Sequence, residues 1–225
     1  MDGRWVFRGQ PIDKPLLPKV ARESQLQDLS AREKSMLREF ERRIQAFGYH
    51  NIKSDWELMS LAQHYGLPTR MLDWSRSALA SMWFACRRPQ DGFQGDPVVW
   101  CLPLDEEDFL NASPKGSPFS VGKTKFFEPA HVSNRISAQD GLFSVHRFSK
   151  TSGKFVALDS NPDYFSRLVK IVIPAQTCDR NIVKLATLGA HAASLFPDIY
   201  GLAEYLSSKY EFSSKSEEFE RRANS

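Results

Sequence analysis

Pro68 stands two residues beyond Gly66 and directly ahead of Thr69-Arg-Met-Leu-Asp-Trp74, and this placement constrains the fold more than any other feature of the chain. Proline lacks the amide hydrogen that a continuing helix needs, and its ring clashes with the preceding turn. The helix approaching it must therefore stop, and residues 69–74 are predicted to be extended. Upstream, Ser54-Asp-Trp-Glu57 reads as a capping box, in which the serine hydroxyl and the glutamate carboxylate satisfy orphan amides at a helix start. That helix passes through Met59 and Ala62 towards Gly66. Downstream, Ser75 or Ser77 caps a third helix over 78–86, with Leu79, Met82 and Trp83 facing inward.

The remaining elements follow from periodicity and punctuation. Residues 4–9 alternate bulky and polar groups and end at a Gly-Gln-Pro turn, which predicts a short strand before a proline-rich connection (Pro11, Pro15, Pro18). Ser30-Ala-Arg-Glu33 reads as another capping box. Behind it Met36, Leu37, Phe40, Ile44 and Phe47 recur at helical spacing, and Gly48 closes the helix. Strands are predicted at 98–102, 142–148 and 168–173, and helices near 179–188 and 197–210. Residues 105–132 are irregular, a length uncommon in compact domains unless the loop serves a site. Strands and helices do not alternate regularly, no repeat is present, and no glycine-rich nucleotide loop follows a strand. The prediction is one α+β domain over 1–212, followed by a polar tail over 213–225.

Composition narrows the function. In 225 residues, 41% hydrophobic content with 12% aromatics suffices for a full core. Thirty Lys and Arg against 27 Asp and Glu is too even a balance to imply nucleic-acid binding by itself. Cys86, Cys101 and Cys178 lack metal-ligand spacing, and the five histidines form no HxxxH or HxH pair, so no metal site is expected. The cysteines read as small buried hydrophobes. No apolar run approaches the roughly 20 residues of a membrane span. The first residues lack a signal-peptide core, so the expectation is a cytoplasmic protein without a membrane partner.

Three segments concentrate polar chemistry. In His64-Tyr-Gly-Leu-Pro-Thr-Arg-Met-Leu-Asp-Trp-Ser75, polar groups alternate with large apolar ones on a backbone fixed by Gly66 and Pro68. Along an extended chain Arg70 and Asp73 fall on opposite faces, whereas Thr69, Met71, Asp73 and Ser75 share one. The structural alternative is a turn whose buried ion pair orients the third helix. In Trp5-Val-Phe-Arg-Gly-Gln10, the planar fork of Arg8 suits phosphate or carboxylate, the alternative being a surface arginine on an edge strand. In Arg135-Ile-Ser-Ala-Gln-Asp-Gly-Leu-Phe143, Gln139 precedes a glycine turn into a hydrophobic strand, which is also what a helix-to-strand junction looks like.

Taken together these segments resemble the FRG-domain family, named for the motif that stands here as Phe7-Arg8-Gly9. The resemblance continues through His64 to Arg70, Leu72 to Ser75, Trp83-Phe-Ala85, Arg135-Ile136, Ala138-Gln139, Gly141-Leu-Phe143, Ser194 to Asp198 and Gly201-Leu-Ala203. It implies a fold like that of ADP-ribosyltransferases: a split mixed β-sheet flanked by helices, with NAD as co-substrate in a central cleft. On that implication Arg8 holds the pyrophosphate or ribose, with Gly9, Arg70 and Asp73 also in the nucleotide site. Thr69 and Ser75 organise the cleft, and Tyr65 or Trp74 stacks on nicotinamide. Gln139 bonds a ribose hydroxyl, and His64 positions an acceptor, either a protein or a nucleic acid. Such a protein is expected to act as a toxin or antiviral effector.

One departure stands out. Gln139 is neutral where a carboxylate would stabilise positive charge, and losing one such electrostatic group costs about 2.7–4 kcal/mol at other active sites. Asp140 as a substitute, an acceptor that arrives already nucleophilic, and nucleotide binding without much turnover are the three resolutions. Two other functions stay open. One is a nucleic-acid-binding module using Arg42-Arg43, Arg87-Arg88 and stacking aromatics, and the other is a non-enzymatic ligand-binding domain.

Overall fold

The helix that approaches Pro68 ends as its sequence dictates. Helix α1 (Leu29–Ile44) is followed by α2 (Asp55–His64), which stops at Tyr65. Gly66 takes φ +82°, and the chain re-emerges extended as a strand, Met71–Ser75. The computed structural model describes residues 4–22, 28–87, 95–111, 114–129 and 138–210. The polar tail and Arg135-Ile136 lie outside the described residues.

The strands are β1 (Arg4–Gln10), β2 (Met71–Ser75), β3 (Val98–Leu104), β4 (Lys125–Phe127), β5 (Gly141–Val145), β6 (Phe148–Ser149), β7 (Lys154–Phe155) and β8 (Val169–Val172). Six form one sheet in the order β4-β5-β2-β1-β3-β8, and β6 pairs with β7 in a small second sheet. The α+β class is as predicted. The ladders, however, are antiparallel throughout the described residues, where a mixed sheet was expected. Parallel ladders belong to sheets that helices cover on both faces. Here helices cover one face. The other face buries Val6, Leu72, Trp74, Trp100 and Leu102 under Leu16, Leu158 and Tyr164, which come from segments outside the α-helices.

The helical face has two halves. Helices α1 and α2 pack Leu37, Trp56, Met59 and Ala62 on Met71, Phe143 and Val145 of β2 and β5. Helix α3 (Ala78–Cys86) and α4 (Cys178–Thr187) pack on Val99 and Cys101 of β3. A short helix α5 (Ala192–Leu195) and a last helix over 199–210 complete this side. All three cysteines are buried, as predicted.

The sheet is split. β1 pairs with β3 along its whole length, Arg4 with Leu104 through to Gln10 with Val98. β2 pairs with β5 over all its five residues. Between β1 and β2 the ladder holds a single residue pair, Phe7 with Ser75.

Local departures have local causes. Asp28, not Ser30, caps α1, accepting from the Ala31 amide at 3.2 Å. Ser30 and Glu33 lie inside the helix and turn to Arg70. Ser54 caps α2 as predicted, but Glu57 accepts from the Lys53 amide, one residue upstream of the reciprocal bond a capping box needs. Ser77 rather than Ser75 caps α3, and Leu79 and Phe47 face outward. The irregular stretch contributes β4 and 3-10 turns, and none of its described residues lines the site described below. Among the described residues no helix is long and apolar enough to cross a membrane.

Candidate functional site

Where the β1–β2 ladder stops, the freed backbone carbonyl of Asp73 needs a donor, and the Arg8 side chain supplies it: Nη1 donates at 2.6 Å. The Arg8 side chain is only 14% exposed. Its Nε is buried with no hydrogen-bond partner among the described residues. Leaving a buried donor unmade costs about 1–3 kcal/mol, and more for a charged group. Burial pulls the Arg8 guanidinium down to about 10, against the pull of the Asp73 carboxylate and helped by the like charge of Arg22.

Arg8 lines a cavity of about 610 Å³ lying over this split, between the end of α2 and α3. Among the described residues three cations line it, Arg8, Lys19 and Arg22, against one carboxylate, Asp73. Lys19 Nζ donates to the Gly66 carbonyl at 2.7 Å, and Arg22 Nε donates to the Leu17 carbonyl at 3.2 Å. Burial also lowers the Arg22 pKa, which Asp73 opposes. The volume falls within the range of small-molecule pockets, about 300–1,000 Å³.

Asp73 is the hub. Its Oδ2 accepts from Gln63 Nε2 at 2.8 Å and lies 3.9 Å from Arg8 Nη1. Gln63 Oε1 in turn accepts from the Thr69 hydroxyl at 2.6 Å, and that hydroxyl accepts from the Met71 amide at 3.1 Å. Thr69 itself is buried and does not line the cavity.

The other predicted residues divide by what their side chains do. His64 and Tyr65 line the cavity with rings edge to face at 4.9 Å, and Tyr65 is tied to Tyr49 through a 2.6 Å hydroxyl contact. Ser75 also lines it, but its hydroxyl donates to the Gln139 carbonyl at 2.5 Å and accepts from the Ser77 amide, so it pins the turn that presents Gln139. Gln139 lines the cavity, and its amide nitrogen donates to the Leu195 carbonyl at 3.0 Å. Trp74 borders the cavity, yet its ring lies in the core against Phe126, with Nε1 donating to Ser144 Oγ. It is therefore no stacking platform. A Cβ on Gly9 would lie 1.8 Å from the Ser81 carbonyl of α3, so packing already explains that glycine.

Arg70 is a correction. It is 1% exposed and outside the cavity. Its Nε and Nη2 hold Glu33, Nη2 holds Ser30, and its ring neighbours are Phe119 and Phe155. Burial raises the Glu33 carboxyl, with the guanidinium opposing that shift. Removing one partner from such a pair costs about 3–5 kcal/mol. Arg70 is thus the buried ion pair of the structural alternative, with Glu33 in place of Asp73. The two arginines differ in one decisive way: Arg70 spends its donors on protein, whereas Arg8 keeps one unspent.

The FRG domain's family model matches residues 3–93. Over this segment the chain is similar to the FRG-domain family. No curated protein and no solved structure matches the chain. The matched FRG segment carries β1, α2, β2 and α3, hence Arg8, Gln63, His64, Tyr65, Asp73 and Ser75, while Gln139 lies beyond it. The motif tripeptide divides its labour: Phe7 packs beside α3, Arg8 enters the cavity, and Gly9 lets the helix approach.

Sequence reasoning missed Lys19, Arg22 and Gln63. Lys19 and Arg22 are three apart in a 3-10 turn, a spacing that puts both side chains on one side. The prolines around them had suggested only a connector. Gln63 directly precedes His64 at the end of a helix already predicted. No metal-binding cluster exists among the described residues.

Proposed function

We propose that this cavity binds NAD and cleaves its nicotinamide–ribose bond, passing the ADP-ribosyl group to water or to an acceptor. The observation that carries the reading is Arg8: a guanidinium lining a cation-rich cavity, with one buried donor unsatisfied by the described residues. Pyrophosphate matches that need, because its oxygens accept charge-assisted hydrogen bonds and offset the facing charges of Arg8 and Arg22. Two carboxamides supply partners for ribose hydroxyls and nicotinamide, and His64 and Tyr65 supply aromatic surface. Heterolysis leaves the bonding pair on nicotinamide and an oxocarbenium-like ribose, as in glycoside chemistry.

The nucleic-acid alternative draws less support. Arg87 pairs with Glu204, and Arg42 and Arg43 share the single carboxylate of Glu39, so most of this positive charge already has a partner on the protein. Arg88 lies outside the described residues.

Incubation with NAD labelled in the nicotinamide ring tests the reading. The wild-type protein is expected to release labelled nicotinamide, and Arg8→Ala to release at least about a hundredfold less, the scale of losing one preorganised electrostatic group. Absence of release from the wild type, or equal release from both proteins, removes the proposal.

A further inference from the structure

The cleavage proposed for this cavity develops positive charge on the ribose as nicotinamide departs, and Gln139 cannot answer it. Its amide is neutral and is already turned to the Leu195 carbonyl. Asp140, next in sequence, sits in a turn at φ +44°, where its carboxylate accepts from Arg76 at 3.4 Å, and it is not among the residues lining the cavity. Among the described lining residues the carboxylate is Asp73.

The placement of Asp73 is tightly determined for a side chain that is 60% exposed. The order of donors and acceptors behind it has only one consistent direction. The Met71 amide donates to Thr69 Oγ1, the Thr69 hydroxyl donates to Gln63 Oε1, and this fixes the Gln63 amide group, Nε2, towards Asp73 Oδ2. The chain begins at a fully buried hydroxyl and ends at the cavity. Arg8 grips the backbone carbonyl of the same residue, so the cation for phosphate and the carboxylate share one frame. The contacts of the Asp73 carboxylate with Gln63 and Arg8 fall on Oδ2, and the side chain is 60% exposed, which leaves Oδ1 able to face a ligand. An exposed polar pair of this kind adds little stability, whereas holding a charged oxygen in a set direction is what transition-state stabilisation requires.

We propose that Asp73 is a catalytic residue whose carboxylate stabilises the developing oxocarbenium ion, and that Gln63 and Thr69 are positioning residues for it. The inference rests on the NAD reading of the cavity. In the step, the ribose C1′–nitrogen bond breaks and its electron pair leaves with neutral nicotinamide. The electron-deficient ribose carbon then accepts an oxygen from water, and the water proton passes to solvent.

The test uses the full chain as wild type, Asp73→Asn, Thr69→Val and Thr69→Ser, each assayed for nicotinamide release and for thermal stabilisation by NAD. Asp73→Asn is expected to keep the NAD-induced stabilisation and an unchanged KM while kcat falls about 10²-fold or more. Thr69→Val is expected to lower kcat by a smaller factor at constant KM, and Thr69→Ser, which keeps the hydroxyl, to restore it. Wild-type turnover in Asp73→Asn overturns the inference and leaves the NAD reading standing. Loss of NAD stabilisation together with turnover in Asp73→Asn makes the residue a binding group and also overturns it. A wild type that releases no nicotinamide overturns both proposals.

Discussion

His146 is fully buried beneath the site, and both of its ring nitrogens are engaged. Its Nδ1 faces the Val156 carbonyl at 3.2 Å and must donate; in the neutral ring Nε2 then accepts from Ser144, whose oxygen accepts from Trp74. That pattern suits a neutral ring. Burial pulls the His146 pKa down to about 4, against the Val156 carbonyl and helped by the charge of Arg8. The folded state therefore binds the proton less readily than the unfolded chain does. Stability is fully present above the unfolded value near 6.5 and is lost as pH falls from there towards 4, by about 3 kcal/mol in all. Urea unfolding at a series of pH values is expected to show this loss in the wild type and a shallower one in His146→Asn. Single residues also show where sequence reading falters. Ser30 and Glu33 have the spacing of a capping box, but the same spacing puts both on one helical face, where they meet Arg70 from 37–40 residues away. A local pattern that suits two physical tasks cannot reveal a distant partner.

Helix α3 lies so close to β1 that Gly9 faces its backbone directly. In Gly9→Ala the new methyl would fall 1.8 Å from the Ser81 carbonyl and 2.7 Å from the Ala85 amide nitrogen, and neither can rotate away. Overpacking of this kind costs about 1–3 kcal/mol, occasionally more, and the upper end is expected here. The urea midpoint should fall accordingly; a variant as stable as the wild type would mean that the helix is not pressed on the strand. Elements with their own punctuation were legible. Pro68, Gly48 and the serine caps of α2 and α3 placed helix ends to within a residue or two, because those signals act on neighbouring amides. β4 and the β6–β7 hairpin were not legible, because short strands take their identity from partners elsewhere in the chain.

At the scale of the whole molecule, a formal charge of +3 gives no hint of a binding site, yet folding brings three cations and one carboxylate of the described residues around one cavity. Stabilisation by NAD is therefore expected to shrink as ionic strength rises from 0.01 to about 0.5 M, since screening shortens from roughly 30 Å to a few ångströms. A thermal shift insensitive to salt would take charge out of the account. The family resemblance brought Arg8, Asp73 and Gln139 together, but the strand order and the position of the split could not be read from sequence, because both depend on how distant segments pair. The split has a mechanical meaning as well. Two leaves of one sheet meet at a lone rung, Phe7 with Ser75, and the guanidinium of Arg8 spans the gap beside it like a latch. Whatever engages that latch sets the spacing of the leaves, so a guest held there acts as mortar between two halves of the protein.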